Sequence, residues 1–290
     1  MTTPEIAVLA VPYDSGHSGE RMGAGPGHLL DHGLLDRAGP GARAETVRPA
    51  DGFAGEIASA FRVQAALAER VRAVRAGGRA PLVLAGNCNT TVGVVAGLRD
   101  PDVDHLGVVW FDAHGDFNTP ETSTSGFLDG MGLAVLTGDC WRPMAASVPG
   151  FRPLPERHVV LAGIRDVDAA ERDRIERSAL HVLPPDRVNR AGMAAALTGL
   201  PATVRRIHLH LDLDVHDRDT VGRANPFAVP GGPDAAGVRD AVAAVAAAHP
   251  VVSATISAYD PAADPADRLR SVALDLAEQV AALLHPPAPA

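Results

Sequence analysis

The stretch Val108-Val109-Trp110-Phe111-Asp112-Ala113-His114-Gly115-Asp116 decides how the rest of this 290-residue chain is interpreted. An apolar run passes directly into Asp112, His114 and Asp116, which occupy every second position. In extended backbone, alternate side chains share one face, so these three are expected to point the same way. Gathering them without a cation would cost hydration and bring carboxylates into repulsion. The stretch therefore predicts a buried strand that ends in a metal site.

A second stretch, Ile207-His208-Leu209-His210-Leu211-Asp212-Leu213-Asp214, is built in the same way. A single Asp-x-Asp pair is common in solvated loops and helix caps, but two clusters after two buried strands favour metal binding. Carboxylates with few imidazoles suit Mn²⁺ or Mg²⁺ better than a structural zinc ion, which favours thiolate and imidazole. We expect His208 and His210 to be hydrogen-bonded interior histidines, with a place beside a metal ligand as the alternative for His210.

The pattern around these stretches predicts the fold. Short β-branched runs alternate with longer alanine-rich amphipathic stretches, which is typical of a parallel sheet covered by helices. The predicted strands span residues 6–11, 82–85, 106–111, 159–163, 179–183, 207–213 and 251–256. Helices are predicted over 56–76 and after a cap at Asp264, with Pro265 in the first turn. We expect one domain over residues 1–290, an α/β fold with three α/β/α layers around a mostly parallel central sheet.

Composition excludes several kinds of chemistry and partner. All 26 basic residues are arginine, so a Schiff-base lysine, a lysine-held pyridoxal phosphate and a P-loop lysine are impossible. The net charge is −9 and the arginines are scattered, which argues against a nucleic acid or a membrane as partner. Two cysteines are too few for a disulfide scaffold, and the apolar run at 6–12 is too short for a signal or membrane helix. We therefore expect a cytoplasmic protein that binds a small molecule.

These motifs resemble the arginase and agmatinase family of binuclear manganese ureohydrolases. The runs Trp110-Phe111-Asp112-Ala113-His114-Gly115-Asp116-Phe117-Asn118 and Leu211-Asp212-Leu213-Asp214 are similar to the family's two hallmark motifs. The similarity extends over most of the chain and includes Pro12-Tyr13-Asp14-Ser15-Gly16, Gly130-Met131, Leu133-Ala134, Gly163-Ile164-Arg165-Asp166-Val167-Asp168 and Pro230-Gly231-Gly232. It implies an arginase-like fold, two Mn²⁺ ions per chain and hydrolysis of a guanidino C–N bond.

The resemblance also implies a ligand set. An early ligand, Asp112, Asp116 and Asp212 would hold the first ion, and Asp112 and Asp212 would bridge to the second. His114 and Asp214 would complete that second position. In the family a hydroxide between the two ions attacks the guanidinium carbon, and Asp116 would orient it by a hydrogen bond.

Substrate contacts are implied as well. Asn118, Ser123 and Ser125 are similar to the residues by which arginases hold the α-carboxylate of the substrate. Asp168 matches the position that meets the α-amino group. Since agmatine has no carboxylate, these residues favour an amino acid as substrate. The alternative for Asn118, Ser123 and Ser125 is a turn-rich surface loop without a ligand.

Cys88 is the first departure from the family pattern. The run Ala85-Gly86-Asn87-Cys88-Asn89 matches a strand exit at which most members carry a histidine as the early metal ligand. The alternative is a small buried hydrophobe. As a ligand, one thiolate with four aspartates gives five negative charges against the four positive charges of two divalent ions. The excess should raise the pKa of bound water and weaken the Lewis acidity, which suits a substrate more reactive than arginine.

Two further departures concern catalysis. Asp129 stands where arginases carry a histidine thought to pass protons to the leaving amine, and Ala258 stands where the family places a glutamate that pairs with the guanidinium. Asp129 is the candidate to supply the missing charge and the proton transfer, with Tyr259 and Asp260 as lesser candidates.

One branch of the family, which hydrolyses Nω-hydroxy-L-arginine in D-cycloserine biosynthesis, resembles this pattern better. It also replaces the first histidine ligand by cysteine and lacks the shuttle histidine. The resemblance implies a guanidino amino acid as substrate, with hydroxyurea and L-ornithine as products. Two alternatives stay open: an arginase or other guanidino or formimino acid hydrolase, and a metal-binding pseudoenzyme with a structural or regulatory role.

Overall fold

The computed structural model describes residues 5–50, 52–99 and 105–284. In this part of the chain eight strands form one sheet in the order β4-β1-β5-β10-β9-β6-β7-β8, with every neighbouring pair parallel, and β2 and β3 form a separate antiparallel pair. The strands are β1 Ile6–Val11, β2 Tyr13–Asp14, β3 His17–Ser18, β4 Arg43–Thr46, β5 Ala80–Ala85, β6 Leu106–Phe111, β7 Val159–Ala162, β8 His181–Leu183, β9 Arg206–Asp212 and β10 Val251–Ser257.

Helices cover both faces of the sheet, which confirms the predicted three-layer α/β/α architecture. They are α1 Gly25–Asp31, α2 Leu34–Ala38, α3 Glu56–Ala76, α4 Thr91–Leu98, α5 Gly132–Thr137, α6 Arg142–Ala145, α7 Ala169–Arg177, α8 Arg190–Leu197, α9 Ala235–Ala248 and α10 Arg268–Leu283. Within the described ranges, none of these helices is long and apolar enough to cross a bilayer.

Successive side chains along a strand point to opposite faces of the sheet and so contribute to two hydrophobic cores, one on each face. Val109 and Phe111 of β6 pack with α1, α2, α8, α9 and α10, whereas Val108 and Trp110 pack with α3 to α7 on the other face. A parallel strand buried on both faces must be apolar throughout, and all six residues of β6 are buried. The strand therefore stays apolar up to its carboxyl end, where polar residues begin.

The predicted elements agree with the structure except at their ends and at one edge. Each of the seven predicted strands is present, with boundaries shifted by up to two residues. The edge strand β4 was not predicted, because all four of its side chains are exposed and give no apolar alternation. The last helix begins at Arg268 rather than beside Asp264, and Pro265 precedes it. The Asp264 carboxylate still accepts hydrogen bonds from the backbone N–H groups of Arg268 and Arg270, at 3.0 and 2.9 Å.

The glycine-rich residues 23–27 run from a short 3-10 helix into α1, which begins at Gly25. A Cβ at Gly25 would lie 2.1 Å from the Tyr259 carbonyl oxygen, so the chain needs glycine there for the close approach of two backbones. We expect Gly25→Ala to destabilise the protein by about 1–3 kcal/mol, as overpacking does, measured by urea unfolding. Gly27→Ala in the same helix meets nothing within 4 Å and is the control. Equal stability of the two variants would contradict the argument.

Candidate metal centre and substrate cleft

A cleft of about 260 Å³ lies at the carboxyl edge of the sheet, where open parallel sheets bind ligands. Strands β5, β6, β9 and β10 are neighbours in the sheet, so the residues that follow them meet there. The volume lies just below the range of small-molecule sites, which starts at about 300 Å³, and fits a ligand of amino-acid size. The cleft is lined by Met22, Cys88, His114, Asp116, Asn118, Ser125, Phe127, Asp129, Gly130, Asp166, Asp168, Glu171, Asp212, Asp214, Asn225, Phe227 and Ala258.

Asp112, His114 and Asp214 form one compact donor group at the base of this cleft. The Nδ1 atom of His114 lies 3.3 Å from Asp112 Oδ1 and 3.4 Å from Asp214 Oδ2. One ligand atom from each residue lies within 4.8 Å of the other two, close enough to share a cation. Trp110 Nε1 donates to Asp112 Oδ2 at 3.0 Å and fixes that carboxylate. Two of the three alternate residues of the first stretch, Asp112 and His114, thus lie together with Asp214 of the second stretch.

Cys88 and Asp212 lie beside that group. The Cys88 Sγ atom is 2.9 Å from Asp212 Oδ2, and Asp214 donates its backbone N–H to Asp212 Oδ1 at 2.7 Å. Cys88 is the first residue of a short 3-10 helix that leads into α4, directly after β5. The Cys88 thiol, Asp112 and a ring nitrogen of His210 form a second group within 4.8 Å.

Asp116 has a left-handed backbone conformation, and its carbonyl group accepts two hydrogen bonds. Its φ of 48° is left-handed, and its carbonyl accepts from the N–H groups of Leu133 and Ala134 at the start of α5, at 2.9 and 3.2 Å. Within the described residues, its Oδ2 atom is buried without a hydrogen-bond partner. A buried carboxylate oxygen without a partner is costly and is the kind of atom that a cation would satisfy.

The electrostatics of the cluster call for positive charge. Burial raises the pKa of Cys88, Asp116 and Asp212 well above their ordinary values, and neighbouring carboxylates add to each shift. Burial would lower the pKa of His114, but Asp214 and Asp112 outweigh it and raise that pKa well above its usual range. Cations at this site would remove the repulsion and satisfy the Asp116 oxygen, so the residues present fit a metal centre.

The predicted substrate residues divide into two groups. Asn118, Ser125 and Asp168 line the cleft, as the resemblance implied, whereas Ser123 is not among the residues that line it. The Ser123 hydroxyl instead accepts a hydrogen bond from the backbone N–H of Gly126 at 3.0 Å. This contact is the one expected if Ser123 belongs to a turn-rich surface loop, the alternative given above for this residue.

Asp129 lines the cleft beside the cluster and is held firmly. Its Oδ1 atom accepts from the backbone N–H of Asn89 at 2.8 Å and from Asn89 Nδ2 at 3.0 Å, and its Oδ2 atom accepts from Asn87 Nδ2 at 2.9 Å. Burial raises the pKa of Asp129 to about 7 against the opposing effect of the Asn89 N–H group. A carboxyl group with such a pKa is suited to proton transfer near neutral pH.

Ala258 forms part of the cleft wall near the metal ligands. It is 2% exposed and has a φ of 62°. Asn225 links it to the cluster, because its Nδ2 atom donates to the Ala258 carbonyl at 3.0 Å and to Asp214 Oδ2 at 3.1 Å. Tyr259 and Asp260 do not line the cleft: the Tyr259 hydroxyl donates to Asp264, and the Asp260 carboxylate accepts from Ala262 N.

Several cleft residues were missed from the sequence. Glu171, in the first turn of α7, lines the cleft and accepts a hydrogen bond from the backbone N–H of Phe117 at 2.8 Å. Burial raises its pKa to about 7. Phe127 and Phe227 form an aromatic pair in the cleft lining, with ring centroids 5.7 Å apart. No periodic pattern marks these loop residues. The one available signal was the position of Phe127 next to the predicted carboxylate-binding stretch.

The parallel sheet, the cleft at its carboxyl edge and the donor cluster at its base define an α/β protein with a candidate metal centre at the sheet edge. The arginase family model matches residues 4–282. The arginase of Bacillus caldovelox is 31% identical over 290 residues, which covers 93% of this chain and 96% of that protein. The arginase structure from Bacillus cereus matches with a TM-score of 0.84 at 28% identity and covers 96% of this chain and 98% of that chain.

The chain therefore belongs to the arginase family, and it is a hydrolase that acts on the C–N bond of guanidino compounds. Proclavaminate amidino hydrolase from Streptomyces clavuligerus shares the fold alone. It has a TM-score of 0.70 at 17% identity over 97% of this chain and 91% of that chain.

Proposed function

We propose that the protein is a binuclear manganese enzyme that hydrolyses an arginine-like amino acid, with Nω-hydroxy-L-arginine preferred over arginine. Ala258 in the cleft wall carries this proposal, because the family pattern has a guanidinium-pairing glutamate there. Without that carboxylate, a cationic guanidinium has lost its matched anion at this position. An N-hydroxyguanidine is less basic and more readily neutral, so it needs that anion less. The products would be hydroxyurea and L-ornithine.

The ligand set divides into two positions that share carboxylates. Cys88 and Asp116 would belong to the first position and His114 and Asp214 to the second, with Asp112 and Asp212 common to both. Two bound Mn²⁺ ions would supply Lewis acidity and a water molecule activated at neutral pH. The oxygen-rich second position suits Mn²⁺, and the thiol makes the first position softer.

The chain's own residues would orient the substrate in the cleft. Asp168 would meet the α-amino group, and Asn118 with Ser125 would hold the α-carboxylate. The Asn118 side chain is prepared for this, since its Oδ1 atom already accepts from Thr122 Oγ1 at 2.9 Å and its amide N–H groups are left to donate. We extend the proposal to a single domain over residues 1–290, because one sheet carries both sets of ligands.

Two carboxyl groups in the cleft would orient the water molecule and transfer the proton. Asp116 would hold a metal ion through its carboxylate, and the same carboxylate would accept a hydrogen bond from the attacking water and orient it. Asp129 stands at the shuttle position and would pass a proton to the leaving amine. Its hydrogen bonds to Asn87 and Asn89 fix its direction while the carboxyl group borders the cleft.

The direct test combines metal analysis with hydrolysis assays on arginine, Nω-hydroxyarginine and agmatine. We expect two metal ions per chain and the highest kcat/KM for Nω-hydroxyarginine, with agmatine poorest because it cannot engage Asn118 and Ser125. Fully loaded protein that turns over none of the three compounds would refute the proposal. A higher kcat/KM for arginine than for its N-hydroxy form would refute the substrate preference alone.

Cys88→Ala is expected to lose about one metal ion per chain, because it removes a donor of the first position and leaves the second intact. Stoichiometry is measured by atomic emission after dialysis. Cys140→Ala is the matched control, since Cys140 is also buried but does not line the cleft. Unchanged metal content in Cys88→Ala would remove the cysteine from the ligand set.

A further inference from the structure

A line of buried polar side chains runs behind Cys88, away from the cleft. Thr91 Oγ1 lies 2.7 Å from His210 Nδ1, His210 Nε2 lies 3.5 Å from Ser257 Oγ, and Ser257 Oγ lies 3.2 Å from Cys88 Sγ. The four residues are at most 2% exposed. Trp110 stacks on the His210 ring at a centroid distance of 3.7 Å and fixes its plane. The line connects α4 to β9, β10 and a proposed metal ligand.

When the sulfur is bound to a metal ion, one hydrogen-bond direction along the line is favoured, and it ends on the sulfur. The Thr91 hydroxyl would donate to Nδ1 of a neutral His210, the Nε2–H group would donate to Ser257 Oγ, and the Ser257 hydroxyl would donate to Cys88 Sγ. Each group then donates once along the line, and no two hydrogens face each other. The opposite direction requires the Cys88 thiol proton, which is absent when the sulfur is bound to a metal ion.

We propose that Ser257 and His210 are positioning residues that keep a hydrogen-bond donor on the metal-bound sulfur of Cys88. The inference rests on the proposed role of Cys88 as a ligand. A donor on the thiolate withdraws electron density from a site that carries one excess negative charge. Partners of this kind set the orientation and donor strength of metal ligands. The line thus accommodates a cysteine where most of the family has a neutral histidine.

A direct ligand role for His210 is the rival interpretation, since one of its nitrogens lies within 4.8 Å of donors from Cys88 and Asp112. Both nitrogens, however, already have partners, in Thr91 and Ser257. Coordination by Nε2 would break the link to Ser257 and leave the sulfur without that donor. The existing contacts therefore favour positioning over ligation.

The chain contains a matched control earlier on the same strands, two residues before His210 on β9 and four residues before Ser257 on β10. His208 Nδ1 lies 2.7 Å from Ser253 Oγ on β10, and both residues are fully buried, as are His210 and Ser257. Ser253 pairs with His208 in the sheet register, and no contact joins it to Cys88 among the described residues. Ser253→Ala therefore removes the same hydroxyl from the same environment without touching the proposed line.

The test uses full-length protein loaded with Co²⁺, whose thiolate-to-metal charge-transfer band reports the sulfur directly. We expect Ser257→Ala to move this band to lower energy and to weaken metal affinity at the first position by roughly 10–100-fold. Ser253→Ala should change neither, and circular dichroism confirms that each variant is folded. His210→Gln should also move the band to lower energy while the band persists.

Three outcomes would overturn the inference, and they differ in what else they affect. An unchanged band in Ser257→Ala overturns the inference and leaves the hydrolysis proposal standing. A Co²⁺ content that falls by one ion per chain in His210→Gln, at Co²⁺ concentrations that still load Ser257→Ala, would make His210 a ligand and also overturn the inference. A wild-type protein without the band would remove Cys88 from the ligand set and the inference with it, while the activity assays would still decide the proposed function.

Discussion

Asp129→Asn is expected to lower kcat for the preferred substrate by roughly 10²–10⁴-fold while both metal ions remain bound. The amide keeps the size of the side chain and an oxygen for the N–H groups of Asn89, but it has no proton to pass at neutral pH. The change thus separates proton transfer from the support that this residue gives to its neighbours. Steady-state kinetics and metal analysis on the same preparation measure the two effects.

The control is Asp139→Asn, since Asp139 pairs with Arg174 at 2.9 Å and does not line the cleft. Imidazole added to the assay should restore part of the Asp129→Asn rate if only a proton carrier is missing. Near-normal turnover would remove Asp129 from the mechanism. Loss of metal without rescue would show that its hydrogen bonds to Asn87 and Asn89 matter more than its proton.

The candidate donor cluster was predictable because its residues follow buried strands. A parallel strand covered on both sides leaves little freedom for its apolar residues, so the sequence of β6 and β9 specifies where each strand ends. The positions of Asp112 and Asp214 follow from those ends and from the parallel register that joins the two strands. A local pattern was therefore enough to bring residues distant in sequence together.

The walls of the cleft were less predictable because loops bring them together. Phe227 and Asn225 lie in a Pro- and Gly-rich segment whose sequence indicates only a loop, yet both line the cleft. Ser123 is not among the residues that line the cleft, because a turn sets the direction of its hydroxyl and the match to a motif does not specify that direction. In the sequence Glu171 is an ordinary acidic residue in the first turn of α7, and its burial results from tertiary packing.

Introducing a carboxylate at Ala258 should have the largest effect on specificity. We expect Ala258→Glu to raise kcat/KM for arginine relative to Nω-hydroxyarginine by roughly 30-fold or more. A buried charge pair of this kind contributes about 2 kcal/mol or more, and 1.4 kcal/mol corresponds to tenfold. Ala258 already has a φ of 62° although it carries a Cβ atom, so replacing it with glutamate adds no new backbone strain. Competition between the two substrates in one reaction measures the ratio directly.

Ala258→Gln is the matched control, because it adds the same bulk beside Asn225 without charge. We expect it to lower kcat/KM for both substrates by similar factors, so that their ratio changes little. If glutamate and glutamine shift the ratio equally, volume rather than charge governs selection at this wall. A ratio that neither variant changes would mean that the guanidino group does not contact Ala258, and the substrate preference would then need a different structural cause. If Ala258→Glu alone raises kcat/KM for arginine relative to Nω-hydroxyarginine, the absence of a carboxylate at this position explains the preference for a neutral N-hydroxyguanidine.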